Sequence, residues 1–198
     1  MHDVTPELRK ALLHDKAERA AAIISNYASL EIDLGLFELF VQDQGFGALV
    51  FCVDRSPASY RQLLTEKGVN DEAVFYLDVT GAGDNHPNTL ASLNIGNLSY
   101  LTLEVFQMIE TAQKRFPQRN FFVLLDSVGS MQLYNEPETL ARFLHANNLR
   151  FRALNVYQTY LLEPNGKLNN VVRKFCDNIL ELGPTKEEAF ARAIGAQR

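Results

Sequence analysis

The apolar residues of this chain fall into two kinds of pattern whose alternation predicts its architecture. Leu49–Val53, Val74–Leu77 and Phe121–Leu125 are short runs with no polar interruption. Such runs read as strands buried on both faces, as in a parallel sheet covered by helices. Between them the spacing is helical. Ile32, Leu36, Leu39 and Phe40 recur at i, i+4, i+7 and i+8, and Leu98, Leu101, Val105, Met108, Ala112 and Phe116 mark a long amphipathic helix that Pro117 ends. Strands and helices alternating at this interval indicate βαβ units. The expected fold is therefore α/β, three layers (α/β/α) around a mostly parallel sheet.

Local punctuation sets the remaining elements. Thr5-Pro6-Glu7, with Thr as cap and Pro in the first turn, predicts a helix from Pro6 to about Arg19. Ala20–Tyr27 fits either a continuation of that helix or a short strand over Ala22–Tyr27. Ser56-Pro57 opens a helix that Lys67-Gly68 closes, and Asn135-Glu136-Pro137-Glu138 opens another with Asn135 as its cap. A strand over Val156–Leu161, a turn at Glu163–Gly166, a short helix from Leu168 to Phe175 and a last strand over Asn178–Leu182 follow. Thr185-Lys186-Glu187-Glu188 fits a capping box for a terminal helix. Thr80–Gly96 is the longest irregular stretch, with Thr89–Ser92 as a short edge strand. Long loops in compact domains are often functional, although a solvated connection is the plainer reading. We expect a single domain over 1–198, with an N-terminal helix in 1–20, the core in 21–183 and a C-terminal helix in 184–198.

Composition narrows the function classes. A hydrophobic content of 46% and a charged content of 22% are those of an ordinary globular protein. A net charge of −5 argues against a dedicated nucleic-acid binder, which would show a basic face. Cys52 and Cys176 lie in apolar runs and read as reduced core thiols. No apolar segment approaches the roughly 18 to 20 residues that span a membrane, and the first residues lack a signal-peptide core. The expected location is the cytoplasm, with no membrane partner.

Candidate chemistry gathers at strand ends. Asp54, Asp78 and Asp126 each follow an apolar run, at the carboxyl end where open α/β sheets place their ligands. They either cap loops or meet as an acidic cluster able to hold Mg2+. A receiver-like fold with Asp54 as phosphoacceptor is a further doubly wound arrangement. His86 and His145 have no second ligand at metal spacing, and Ser127 has no evident base.

Several segments in order carry a resemblance. Phe122-Val-Leu-Leu-Asp-Ser127, followed by Leu133-Tyr134-Asn135 and Glu138-Thr139-Leu140, is similar to a Walker B strand and the helix after it. Arg142–His145, Arg152–Val156 and Phe175–Leu182 continue the match, and Val50–Pro57 looks like the strand and turn after a phosphate-loop helix. Over roughly residues 20 to 183 the chain resembles the RecA/KaiC-like branch of P-loop ATPases, most closely small single-domain KaiC-like proteins. That resemblance implies a RecA-like core, places Asp126 at the metal-ligand position and sets Asp54 near a catalytic carboxylate.

The phosphate loop departs from the pattern. A GxxxxGK[ST] loop cradles phosphates with backbone amides and neutralises them with its Lys. The corresponding segment, Ala28-Ser-Leu-Glu-Ile-Asp-Leu-Gly35, has no Gly at its first position, Asp33 for the second Gly and Leu34 for the Lys. No Lys occurs between Lys16 and Lys67. Glu31 and Asp33 instead bring negative charge to a helix start, where each carboxylate within about 4–6 Å of a triphosphate repels it by on the order of a kcal/mol. We expect a degenerate ATPase without a cofactor, regulatory or scaffolding, forming a homo-oligomer or joining an active paralogue. The alternative is an atypical ATP- or GTP-binding protein using Asp126, Asp54 and Mg2+.

Overall fold

The computed structural model describes residues 4–13, 19–26 and 29–183. Among the described residues, seven strands make one sheet: β1 (Ala20–Ser25), β2 (Gly47–Cys52), β3 (Val74–Asp78), β4 (Thr89–Ser92), β5 (Phe121–Leu125), β6 (Tyr157–Leu162) and β7 (Asn178–Leu182). Their spatial order is β4-β3-β2-β5-β6-β1-β7, and every neighbouring pair is parallel. A receiver-like sheet runs 2-1-3-4-5. Here β1 lies between β6 and β7, away from β2, so that alternative is excluded.

Alternate strand residues supply two separate cores. Leu49, Phe51, Phe75, Val123 and Leu125 belong to one, together with residues of α4 (Leu98–Arg115), the short α5 (Val128–Met131), α6 (Pro137–Ala153) and Val172 of α7 (Asn169–Val172). Ala48, Val50, Val74, Phe122 and Leu124 belong to the other, with α1 (Thr5–Leu12), α2 (Ser29–Leu36) and α3 (Pro57–Glu66). Both faces of each central strand are covered, which is why these runs carry no polar alternation. The ambiguous segment after Arg19 is strand β1. It gains a hydrogen-bonded ladder on each side, to β6 and β7, which a continued helix would forgo.

The structure corrects several boundaries. Val4, not Thr5, precedes the first helix, and the Thr5 hydroxyl donates to Glu38 instead of capping. That helix ends at Leu12, short of the expected Arg19; residues 14–18 lie outside the described residues. Helix α2 continues into a π-helix over Phe37–Asp43, where Phe37 and Phe40 both pack on Phe122. Glu136 takes the cap position expected for Asn135, whose side-chain amide donates to the carbonyls of Ile95 and Met131. Two carbonyls satisfied at once tie the 93–97 loop to the turn after α5. The short helix spans only Asn169–Val172, and the expected terminal helix lies outside the described residues.

One close contact fixes the entry of β2. A Cβ added to Gly47 would lie 2.1 Å from a Phe121 ring carbon and 2.9 Å from the Ala73 carbonyl oxygen. Among the described residues, no helix is long and apolar enough to cross a membrane.

Candidate functional site

The chain leaves β2 through α3 on one face of the sheet and leaves β5 through α6 on the other. Strand order therefore reverses between β2 and β5, and such a switch point opens a crevice at the strands' carboxyl ends. Asp126 closes it. Its Oδ1 accepts from the Val53 amide at 2.9 Å and its Oδ2 from the Asp54 amide at 3.3 Å. The hydroxyl of Tyr60, on α3, lies 3.1 Å from Asp126 Oδ2 and 2.8 Å from Asp33 Oδ2. Asp33 comes from the second turn of α2 and pairs with Arg55, Nη1 to Oδ2 at 3.1 Å. Arg55 also donates to Ser29 at 3.2 Å.

A phenol carries one proton and can donate to only one of two carboxylates. Both short contacts of Tyr60 are favourable together only when one aspartate is itself protonated. Burial pushes Asp126 up to about 7, with the Asp54 charge adding to it and the hydrogen bonds from Val53 and Tyr60 opposing. Burial and the Asp126 charge hold Asp33 well above the usual carboxylate range, against Tyr60 and Arg55. Burial and both carboxylates likewise raise the Tyr60 phenol. The shared hydroxyl and both upward shifts favour a proton held among Asp33, Tyr60 and Asp126.

A cleft of about 220 Å3 opens at the carboxyl ends of β1, β5 and β6. Ser25, Ser29, Ser127 and Gly129 line it with Asp54, Asp126 and Glu163, over apolar surface from Ile23, Ile32, Leu161 and Leu162. Asp54 and Asp126, both singled out in the sequence, thus share one cleft, Asp54 exposed and Asp126 1% exposed. Asp78 does not join them. Its carboxylate takes the Thr80 amide and hydroxyl at 2.9 and 2.6 Å and the Gly83 amide at 3.1 Å, closing its own loop.

Of the two readings of these aspartates, loop caps or an acidic cluster, the three-aspartate cluster is therefore not formed. Among the described residues, no group of three or more Asp, Glu, His or Cys side chains is placed to hold a metal ion. Asp126, the candidate ligand, is 1% exposed, and its two oxygens accept hydrogen bonds from Val53, Asp54 and Tyr60. Of the segment matched to the phosphate loop, Asp33, Leu34 and Gly35 lie within helix α2 and Ala28 lies outside the described residues. His86 accepts from the Asn88 amide and His145 packs on Phe175, 5.8 Å between ring centroids. Arg55, Tyr60 and Glu163 escaped the sequence reading. Arg55 and Tyr60 stand 22 and 27 positions from Asp33, and no local motif announces pairs of that kind.

No family model matches the chain, and a comparison with curated proteins found no match. Solved structures do match. A KaiC-like protein of the archaeon Pyrococcus horikoshii (PH0186) superposes with a TM-score of 0.61 at 12% identity, over 86% of this chain and 75% of its own. An uncharacterised protein of the same organism (PH0321), solved in complex with an unknown peptide, gives 0.68 at 15%, over 91% and 83%. At such identities the likeness is one of fold. The seven-stranded parallel sheet, its helices on both faces and these matches agree on one architecture: the chain has a RecA/KaiC-like fold.

Proposed function

We propose that this RecA/KaiC-like domain is non-catalytic and acts by binding protein partners, in a regulatory or scaffolding role. The observation that carries the reading is the state of Asp126. In the family this position holds a metal; here its carboxylate is occupied by Val53, Asp54 and Tyr60 and lies beside a second buried aspartate. A triphosphate brought to the start of α2 would meet Glu31 with no lysine in that segment to neutralise it. The peptide held by the P. horikoshii protein of the same fold supports partner binding as the use to which such a domain is put. Partners in keeping with this are a second copy of the chain or an active paralogue.

Asp54 and Asp126 do line one cleft, which favours the competing reading of an atypical nucleotide site. One experiment separates the two. A ligand that binds only the native state raises its melting temperature. We expect ATP and GTP at millimolar concentration, with and without Mg2+, to leave the melting temperature unchanged. A rise that depends on nucleotide would replace the first reading by the second.

A further inference from the structure

Small-molecule sites usually enclose about 300–1,000 Å3. The cleft beneath Asp54 and Glu163 has about 220 Å3, the size of a single side chain rather than of a nucleotide. Among the described residues, its lining holds three carboxylates and no Lys, Arg or His. The cation that touches the lining, Arg55 at Ser29, is already paired with Asp33. Among the described residues, the carboxylates of Asp54 and Glu163 make no hydrogen bond or ion pair.

A second observation lies behind the wall. Asp33 is fully buried, and its Oδ1 has no hydrogen-bond partner among the described residues. Its other oxygen is joined through Arg55 to Ser29 and through Tyr60 to Asp126, and both of these line the cleft. Acceptors are thus in surplus on the cleft's surface, so an occupant must bring donors and positive charge. The carboxylates are not grouped as metal ligands. An alkylammonium or alkylguanidinium group meets both kinds of lining. Its N–H donors suit the dispersed carboxylates, and its methylenes suit Ile23, Ile32, Leu161 and Leu162.

We propose that this cleft binds the ammonium or guanidinium end of an organic cation, such as a lysine or arginine side chain of a partner. The inference rests on the partner-binding reading above, because it names the chemistry by which the partner would be held.

Amide chemical-shift titration of the full chain tests it. The probes are N-acetyl-lysine amide, N-acetyl-arginine amide, spermidine, MgCl2 and ATP, each added separately. We expect the cationic probes to move the signals of Ser127, Gly129 and their cleft neighbours, with a response that fades as salt is added. In the Asp54→Asn/Glu163→Gln double variant the affinity should fall about tenfold, as for two partly exposed ion pairs. Both positions are exposed, so the fold is retained, and an unchanged amide spectrum elsewhere checks this. Stronger binding of the capped amino acids assigns a protein side chain as the source; stronger binding of spermidine assigns a free amine. The proposal is overturned if no cationic probe moves these signals, if the double variant binds as well as the parent, or if MgCl2 alone moves them. Silence from every cation and from ATP removes this inference and leaves the partner-binding reading standing. Localised shifts from ATP with silent amines remove both.

Discussion

Asp126 and Asp78 stand at the ends of neighbouring halves of one sheet, both shut away from water, yet they serve opposite ends. Asp78 is satisfied within five residues, by Thr80 and Gly83, and shapes the loop that leads to β4. Asp126 is satisfied across 66 to 73 residues, by Tyr60, Val53 and Asp54, and joins β5 to the turn after β2 and to α3. The loop after β3 has a second acid, Asp84, which Arg61 and Thr89 bind and hold down at about 2. Asp126, by contrast, is pushed up to about 7. A strand-end aspartate is thus a local fastener or a long-range one according to what reaches it.

The largest expected effect separates the two regions by pH. The folded-state value of Asp126 lies above its ordinary one, so the native protein holds more protons than the unfolded chain between about pH 4 and 7. Its stabilising contribution is complete below about pH 4 and is lost as the pH rises through about 7. Urea unfolding across this range should show a decline on the order of a few kcal/mol, with Asp33 acting in the same direction. In Asp126→Asn the decline should be markedly flatter. An equally steep profile in that variant would assign the proton to another group.

Next in size is Tyr60→Phe, which removes the hydroxyl between the two carboxylates and should cost about 2 kcal/mol at neutral pH. Because the hydroxyl acts through those carboxylates, the same substitution in an Asp126→Asn background should cost less, by a double-mutant cycle. Strict additivity would show that the hydroxyl acts independently of Asp126, through Asp33.

The smallest effect belongs to the other region. Arg61→Ala should cost less than about 1 kcal/mol at neutral pH, as for a partly exposed ion pair. Asp84 is held below its ordinary value, so that contribution is present above about pH 4 and disappears as the pH falls through about 2. Hydrogen exchange should quicken in residues 79–88 alone. Faster exchange at the β2–β5 crevice would mean that the two regions are coupled.

How far the sequence carried differs between fold and site. Phe121–Leu125 and Leu49–Val53 announced a two-sided sheet because an unbroken apolar run has no solvent face to offer. The edge strand Thr89–Ser92 was legible from its setting between turn residues. Asn135 was misassigned because a cap and a loop tie use the same amide, and only the positions of the Ile95 and Met131 carbonyls decide between them. The same limit governs the site. Asp33 read as a charge that repels phosphate, which follows from its sign and its place near a helix start. That it is buried against Tyr60 depends on the packing of α2 beside α3, two elements separated by all of β2. Glu163 stood in a turn signal, and nothing nearby in the sequence indicated that the turn borders a cleft.

The tight entry of β2 has a consequence for descent. With 2.1 Å between a ring carbon of Phe121 and the place where a Cβ would sit on residue 47, the two positions behave as one heritable unit. In any homologue that keeps this strand pairing, a larger residue at 47 should be accompanied by a smaller one at 121. Such a covarying pair at the amino end of the sheet would trace the lineage of this domain independently of any cleft residue.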